Sequence, residues 1–479
     1  MKACEAMKEN NLPNILFLTT DQQRFDALGS NSEGRVLTPN LDRLVSEGTN
    51  FTRFYVNHPV CMPSRASFLT GRYPSHHGVT TNGIPLPETE TTIAHVLSKA
   101  GYRTGNLGKL HFIPHSGRDY SQPHPPYGFD VHVNADEPGC YPDAYIKWIR
   151  ETAPEMESKV RVPDPAKEQR GSFDRWVFEA PDELSYSAWV ANETINFIDS
   201  STDKPWFAIA GFYLPHAPCN PTQRWLDLYD ESPIGPPLQA ERELDDKPDY
   251  FKDVADVSQP ENEKDWLDFR RYYFASCSMV DHYCGLIVQH LREQGILDNT
   301  IVVFYSDHGE AAGDHFMMAK HPTNYESIVK VPAFIRYPRA VPSNTSVESL
   351  FESVDLFPTI MEAAELQPPD WVDGVSQWST IQGSSDYKKE CVLIEHHEPK
   401  SDFAWKTETA VRTIVTEKYK YWVNNHGHEV LFDLQKDPDE FINFASHPSH
   451  FPLLNEARLL LLNKLMNTFD SRHKKIAPY

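Results

Sequence analysis

Four short runs of apolar residues constrain this chain more than any other feature of its sequence. Each run is almost continuously apolar, without the alternation that marks a strand with one face in water. Such runs are typical of parallel strands that helices cover on both faces. They are Ile15–Thr20, Trp206–Phe212, Thr300–Tyr305 and Val331–Arg336.

Helical patterns separate these runs. Leu41, Leu44 and Val45 share one helical face, and longer helices are predicted over Tyr186–Ile198 and Asp268–Glu293. Alternation of strands and helices is typical of α/β folds. The sequence therefore predicts a large, mostly parallel central sheet flanked by helices.

The C-terminal part of the chain has a different pattern, which predicts a smaller α+β subdomain. A closing amphipathic helix is predicted over Leu454–Met466. Antiparallel strands are predicted at Val392–Glu395, Ala410–Thr416, Tyr419–Val423 and Val430–Phe432. A chain of 479 residues is long enough for two domains. We expect an N-terminal domain over residues 1–383 and a C-terminal subdomain over residues 384–479.

One stretch, Leu226–Asp265, has little periodicity and is rich in proline and acidic residues. It is predicted to be a long surface excursion. Two interpretations of it stay open at this point: a lid or rim beside a substrate site, and a solvated acidic loop.

Charge and cysteine content exclude several classes of protein. The formal net charge is −23, and such a field repels polyanions, which argues against binding to nucleic acid. An anionic substrate would therefore need a local concentration of cations. Seven scattered cysteines without a Cys-x-x-Cys pair argue against a disulfide framework and a zinc ribbon.

The sequence contains no apolar run long enough to span a membrane. Met1–Pro13 is polar and charged, without the apolar core of a signal peptide. As it stands the sequence predicts a cytoplasmic protein, or a periplasmic or secreted one if a leader has been removed.

Polar side chains follow three of the predicted strands. Asp21, His216 and the pair Asp307-His308 each come just after a strand end. Ligands bind at the carboxyl edge of open parallel sheets, so we expect these side chains to meet there. Asp21, Gln22, Asp307 and His308 form an oxygen-rich set that suits Ca²⁺, Mg²⁺ or Mn²⁺ better than a thiolate zinc site.

The segment Cys61–Gly71 reads Cys-Met-Pro-Ser-Arg-Ala-Ser-Phe-Leu-Thr-Gly. A proline and a serine ahead of apolar residues predict the start of a helix. The free N–H groups and the dipole at such an end attract anions. Cys61 is expected at the mouth of this helix, with Arg65 one turn along.

This segment resembles the signature of type I sulfatases, in the alkaline phosphatase superfamily, and every fixed position of that signature is present. The resemblance extends over nearly the whole chain. It includes Gly108-Lys109-Leu110-His111, Pro215-His216-Ala217-Pro218, Ser306-Asp307-His308-Gly309-Glu310 with Lys320, and Glu429-Val430-Leu431-Phe432-Asp433-Leu434 with Asp437-Pro438.

The resemblance implies a sulfuric ester hydrolase in which a maturation enzyme has oxidised Cys61 to formylglycine. One hydroxyl of the hydrated aldehyde attacks sulfur, and the other then collapses and expels sulfate. The implied catalytic residues are Cys61, Arg65, Lys109, His111, His216 and Lys320. The implied metal ligands are Asp21, Gln22, Asp307 and His308, with Ca²⁺ expected first and Mn²⁺ or Mg²⁺ as alternatives.

Each catalytic residue has an implied role. Arg65 and Lys109 would hold the hydrate and neutralise charge, and His111 would take the proton for the collapse. His216 and Lys320 are expected on the leaving-group side. Four further residues lie close in sequence to this set and are predicted to contact substrate: Asn106, Asp314, His315 and His321.

Two departures from the family pattern keep another substrate class open. Many sulfatases have two successive aspartates where this chain has Asp21-Gln22, and Asp-Asn where it has Asp307-His308. Both variants occur in phosphonate monoester and phosphodiester hydrolases of the superfamily, which are the first alternative. An inactive sulfatase-like binding protein is the second, but such a protein has no physical reason to keep the whole catalytic set. A sulfated carbohydrate, consumed in polysaccharide degradation, is the expected substrate.

Overall fold

The computed structural model describes residues 12–115, 118–119, 122–162, 173–201, 203–230, 234–260, 262, 264–399, 408–468 and 470. Fourteen strands fall within this part of the chain. They are β1 (Asn14–Asp21), β2 (Thr49–Phe51), β3 (Phe54–Tyr55), β4 (Arg103–Gly108), β5 (Val131–Asn134), β6 (Trp206–Pro215), β7 (Thr300–Ser306), β8 (Ala333–Arg336), β9 (Thr345–Val347), β10 (Phe351–Glu352), β11 (Val392–Glu398), β12 (Thr409–Val415), β13 (Tyr419–Asn424) and β14 (Glu429–Asp433).

Eight of these strands form the central sheet, in the order β5-β4-β6-β1-β7-β8-β2-β9. The five strands from β5 to β7 all run parallel. Every residue of β1, β6 and β7 is buried, which explains why their sequences are apolar without alternation. The predicted α/β fold with a mostly parallel sheet is confirmed.

The run Val331–Arg336 differs from the expectation for a parallel strand. Its strand, β8, pairs antiparallel with both β7 and β2. A parallel neighbour would need a crossover that returns the chain to the same end of the sheet. The chain instead turns back after β7 and enters β8 in the opposite direction, so burial rather than direction explains its apolar sequence.

The α-helices cover both faces of the central sheet and close the second one. They are α1 (Pro39–Ser46), α2 (Cys61–Thr70), α3 (Pro74–His77), α4 (Ile93–Lys99), α5 (Ala144–Thr152), α6 (Glu157–Val160), α7 (Tyr186–Asp199), α8 (Gln223–Leu226), α9 (Asp249–Val257), α10 (Lys264–Glu293), α11 (Glu326–Val329), α12 (Leu356–Ala363), α13 (Trp378–Ile381) and α14 (Phe451–Asn467).

The predicted surface excursion Leu226–Asp265 contains a helix, which is a correction to the expectation of an aperiodic loop. Within α9, Phe251, Val254 and Ala255 are buried while Asp253 and Asp256 are exposed. Phe251 packs edge-on against Trp422 of β13, with ring centroids 5.4 Å apart. The apolar spacing of this one short helix was not recognised because the stretch around it is rich in proline and aspartate.

The second sheet is antiparallel, in the order β11-β12-β13-β14, and α14 packs on it. All four predicted C-terminal strands and the closing helix are therefore present. One face of this sheet joins the main hydrophobic core, through residues such as Val411, Trp422 and Phe432. The exact division of the chain at residue 383 stays a prediction.

Six of the seven cysteines lie in the described part of the chain, and all six are buried and free of disulfides. Cys4 lies outside the described residues. Among the helices that the structure describes, none combines the length and apolar character needed to span a bilayer.

Candidate active site

The parallel strands bring their predicted polar residues together at one edge of the sheet. β1 lies between β6 and β7, with Asp21 in register with Pro215 and Thr20 in register with Ser306. The residues that follow these strand ends therefore meet around Asp21. His216 and Asp307 arrive from the two sides.

Cys61 lies opposite this edge as the first residue of α2. All ten residues of α2 are buried, and Gly71 ends the helix in a left-handed conformation with φ of 66°. At the start of the helix, the N–H of Met62 donates to Oδ1 of Asn82 at 3.0 Å. Asn82 comes from another loop, so sequence spacing gave no signal for this cap.

Four side chains form a compact group of candidate metal ligands. One ligand atom from each of Asp21, Cys61, Asp307 and His308 lies within 4.8 Å of the others. His308 Nε2 is 3.6 Å from Asp21 Oδ1 and 3.7 Å from Asp307 Oδ1. Two buried carboxylates beside a neutral imidazole form a donor set suited to a hard divalent cation.

Gln22, the fourth predicted ligand, makes different contacts. Its side-chain Nε2 donates to Glu310, and its Oε1 accepts from Lys320 Nζ at 2.8 Å. Its backbone N–H donates to Asp307 Oδ1 at 3.0 Å. Gln22 has φ of 67°, so the turn after β1 places its amide beside the group. Metal binding by Gln22 stays a prediction.

A ring of cations surrounds the carboxylates. Arg65 donates to Asp307 Oδ2 at 2.7 Å and to Asp21 Oδ2 at 3.3 Å. Lys109 Nζ is 2.7 Å from Asp21 Oδ2 and lies over the ring of Tyr213. Burial alone would raise the pKa of Asp21, but the nearby cations, led by Lys109, hold it well below its usual range.

Lys320 lies between Cys61 and His216 and contacts both. Its Nζ is 3.0 Å from Cys61 Sγ and 2.7 Å from His216 Nε2. Burial and the charge of Lys320 hold the pKa of His216 well below its usual value, so its imidazole is neutral near pH 7. His216 Nδ1 lies 2.5 Å from Ala217 O, which assigns the ring proton to Nδ1 and leaves Nε2 to accept from Lys320.

The thiol of Cys61 is itself a poor nucleophile. Its Sγ lies 3.2 Å from His308 Nε2 and 3.8 Å from Asp21 Oδ1. Burial, together with the charge of Asp21, raises the pKa of this thiol to about 11. It is therefore protonated near pH 7.

His111 lies on the turn after Lys109, where an acidic residue outside the predicted set holds the backbone. Asp136 Oδ1 accepts from the N–H of His111 at 2.7 Å and from that of Leu110 at 2.9 Å. The His111 ring stacks on His115 with centroids 4.5 Å apart. Asp136 follows β5, whose sequence Val-His-Val-Asn has no apolar run that would predict a strand. Its position after a strand end was therefore not visible in the sequence.

The four predicted substrate contacts make their hydrogen bonds outside this group. Asp314 pairs with Arg24 at 2.7 Å and Arg270 at 3.0 Å, and His315 with Glu243 at 2.8 Å. Asn106 donates to Gly108 O, and His321 Nδ1 is 2.7 Å from Thr323 Oγ1. Their assignment to substrate binding stays a prediction.

Comparison with known proteins identifies the family. The family model described as Sulfatase matches residues 13–366. This chain belongs to the sulfatase family, within the alkaline phosphatase superfamily. A second model, described as N-sulphoglucosamine sulphohydrolase, C-terminal, matches residues 313–467 of the sulfatase.

Individual relatives agree with this assignment. An arylsulfatase of Clostridium perfringens is 32% identical to the sulfatase over 473 residues, covering 95% of this chain and 94% of the relative. An N-acetylglucosamine-6-O-sulfatase of Bacteroides thetaiotaomicron is 25% identical over 498 residues, covering 95% and 86%. The sulfatase is thus a hydrolase of sulfate esters.

A solved structure shares the fold of the sulfatase. The phosphonate monoester hydrolase of Silicibacter pomeroyi superposes with a TM-score of 0.83 at 24% identity, covering 96% of each chain. At this identity the likeness concerns the fold alone.

Proposed function

We propose that this sulfatase removes sulfate from a sulfated carbohydrate, using formylglycine derived from Cys61 and one divalent metal, with Ca²⁺ expected first. One observation carries the proposal. Cys61 Sγ lies within 3.8 Å of Lys320, His308 and Asp21, so a single atom is in contact with one of the cations and with two of the candidate metal ligands. The chain as a whole has a net charge of −23 and would repel an anionic ester, but the cations around this site would attract one.

The donor set fits a divalent metal. Asp21, Asp307 and His308 would hold it, with Gln22 as the proposed fourth ligand. When bound, the metal would withdraw charge from the sulfate oxygens and lower the pKa of the attacking hydroxyl. Ca²⁺ and Mn²⁺ both accept carboxylate oxygens, and the imidazole of His308 leaves Mn²⁺ as a close alternative.

The chain's own residues would act on two sides of the sulfur. Arg65 and Lys109 lie on the nucleophile side, where their charges neutralise the sulfate and hold residue 61. Burial and the nearby His115 hold the pKa of His111 well below its usual value, so its imidazole is unprotonated. In that state His111 would accept a proton there as a general base. On the other side, the Lys320 ammonium would stabilise and protonate the departing oxygen, and His216 would orient that ammonium by accepting from Lys320 Nζ through Nε2.

Oxidation of Cys61 is the first point to test. We expect mass spectrometry of the peptide that contains residue 61 to give the mass of formylglycine in protein from a host with a maturation enzyme. Protein from a host without that enzyme should contain cysteine and be inactive. Full turnover by protein whose residue 61 is entirely cysteine would contradict the proposal.

The carbohydrate substrate is supported by the similarity to an N-acetylglucosamine-6-O-sulfatase, 25% identical over 498 residues. We expect kcat/KM on a panel of defined sulfated saccharides to exceed that on simple aryl sulfates. Sulfated saccharides that are all turned over more slowly than 4-nitrophenyl sulfate would count against this substrate class.

A phosphonate or phosphate diester is the second candidate substrate. It is favoured by Gln22 and His308, which stand where many sulfatases have aspartate and asparagine. Phosphonate monoesters and phosphodiesters therefore belong in the same panel. Diester cleavage that exceeds sulfate ester cleavage by orders of magnitude in kcat/KM would reverse our order of preference.

A further inference from the structure

Lys320 lies in a segment that different parts of the molecule fix on its two sides. On the N-terminal side, the N–H of Ala311 donates to Ala319 O at 3.0 Å. The carboxylate of Glu310 accepts from the N–H of Ala319. Ala319 is thereby held against the loop that follows β7.

The other side of Lys320 is held by the C-terminal antiparallel sheet. Trp422 Nε1 donates to Pro322 O at 2.6 Å, and Lys420 Nζ donates to Asn324 O at 2.9 Å. Thr413 Oγ1 accepts from Asn324 Nδ2 at 2.9 Å. Three side chains of β12 and β13 thus bind two of the first four residues after Lys320.

These three anchors are fully buried. The relative exposure of Trp422, Lys420 and Thr413 is 0% in each case. Lys420 Nζ is also 2.8 Å from Glu326 and 2.7 Å from Glu440, and these two carboxylates neutralise its charge. What Lys420 presents to the segment is therefore a fixed hydrogen bond and not a free charge.

The held segment needs such support. Asn324 has φ of 58°, a conformation that a non-glycine residue adopts at some cost in energy. The Pro322 carbonyl is bound by the indole of Trp422, so loss of that donor would free one end of the segment. The C-terminal side of Lys320 is thus held in position by the second sheet.

We propose that Trp422, Lys420 and Thr413 are positioning residues, through which the C-terminal sheet sets the distance from the Lys320 ammonium to the leaving-group oxygen. This inference rests on the proposed function, in which Lys320 acts on the departing oxygen. The second sheet then takes part in catalysis without touching the substrate.

The chemistry gives this role a specific signature. A poor leaving group, such as a sugar hydroxyl, carries more negative charge in the transition state than a nitrophenolate, so it depends more on Lys320. A displacement of about 1 Å in a catalytic group can cost up to about a hundredfold in rate. Loss of an anchor should therefore slow poor leaving groups selectively.

The test uses Trp422→Phe and Thr413→Val in metal-loaded, formylglycine-bearing enzyme. The substrates are aryl sulfates whose phenols differ in pKa, together with an alkyl sulfate. We expect kcat/KM of Trp422→Phe to fall about tenfold on the alkyl sulfate and about twofold on 4-nitrophenyl sulfate. Thr413→Val, which nearly preserves volume, should show the same trend at smaller size. Rates are normalised to folded protein by circular dichroism and to formylglycine content.

Two matched variants remove equivalent bonds elsewhere. Trp225→Phe removes an indole donor to Asp182, and Thr194→Val removes a buried hydroxyl bond within α7. Both should leave the dependence on leaving-group pKa unchanged. A uniform loss over all substrates for Trp422→Phe and Thr413→Val would overturn the positioning role.

Lys320→Met separates this inference from the proposed function. It should show a larger version of the same selective loss, and Trp422→Phe should add no further selectivity in the Lys320→Met background. If Lys320→Met itself shows no selectivity, the proposed role of Lys320 fails. If only the anchor variants lack selectivity, the positioning role fails while that of Lys320 stands.

Discussion

Two lysines, the fully buried Lys420 and the partly buried Lys320, show how this molecule uses charge in its two sheet regions. Lys420 of the antiparallel sheet contacts the carboxylates of Glu326 and Glu440 and a backbone carbonyl. Lys320, beside the central sheet, contacts an amide oxygen, a thiol and an imidazole. The first charge is neutralised within the protein, whereas the second is available to an anion. The comparison agrees with the proposal that the ester binds at the edge of the central sheet.

The same contrast applies to the two regions as a whole. At the edge of the central sheet, Arg65 and Lys109 share the carboxylates of Asp21 and Asp307 with the proposed metal. In the C-terminal region, Lys389 is paired with Glu352 at 2.6 Å and Asp355 at 2.9 Å. Replacements in the first region should act on turnover. Those in the second should act on stability, apart from the three anchors of the Lys320 segment, Trp422, Lys420 and Thr413.

The largest expected effect comes from two cysteine replacements, one in each region. Cys61→Ala should lower kcat by about 10⁴-fold or more, since it removes the proposed nucleophile. Cys391→Ala, a buried cysteine beside β11, should leave kcat within about twofold. Steady-state kinetics on an aryl sulfate measures both. Substantial turnover by Cys61→Ala would break the comparison, because the site would then not depend on residue 61.

A smaller effect is expected when Lys389 is replaced. Lys389→Met removes the nearest cation from two buried carboxylates and leaves only Lys464, 3.7 Å from Glu352, so the free energy of unfolding should fall by about 3–5 kcal/mol. Turnover per folded molecule should stay unchanged. Urea unfolding followed by circular dichroism gives the stability, and Lys320→Met is the matched variant from the site, with lost turnover and little change in stability. Equal stability losses for the two variants would contradict the division of roles.

The smallest effect concerns His396, the β11 residue whose ring lies 4.8 Å from that of His58. Burial, with smaller contributions from His397 and Arg412, lowers its pKa to about 3. The unfolded chain takes up this proton near pH 6.5, so stability falls as the pH drops from about 6.5 towards 3. His396→Gln should reduce that slope by up to about 1.4 kcal/mol per pH unit.

His132 offers the same measurement in the central sheet. Burial and the neighbouring His124 also lower its pKa to about 3. His132→Gln should therefore flatten the slope by a similar amount in unfolding experiments between pH 4 and 7. If neither variant changes the slope, these imidazoles are not the groups that make the fold sensitive to acid.

The sequence predicted the central strands β1, β6 and β7 because both faces of each strand are buried, which requires an almost continuous run of apolar residues. It did not predict β4, whose sequence is Arg-Thr-Gly-Asn-Leu-Gly. The glycines are there for space: a Cβ on Gly105 would lie 2.6 Å from Phe197, and one on Gly108 would lie 2.2 Å from Gly211 O. Close packing requires glycine at these positions, so β4 lacks the β-branched and aromatic residues by which a strand is predicted.

The candidate site divides in the same way. Asp21, Cys61, Asp307 and His308 are adjacent to strand ends or a helix start, and the structure brings them within 4.8 Å of one another. Glu310, Asn82 and Asp136 reach the site through contacts between distant segments, which no local spacing encodes. The contacts of Trp422 and Lys420 with the Lys320 segment are even less visible in the sequence, since they form only when the second sheet is packed in place.

The burial of α2 determines when residue 61 can be changed. The side chain of Cys61 is 1% exposed, and the helix that it begins is enclosed on all sides. An enzyme that oxidises this thiol must reach it before the fold encloses it, so the proposed oxidation competes with folding. The active fraction of a preparation then depends on the rate of oxidation relative to the rate of folding, and the outcome for each molecule is fixed once it has folded. Conditions that slow folding should raise that fraction, and later exposure of the folded protein to the oxidising enzyme should not.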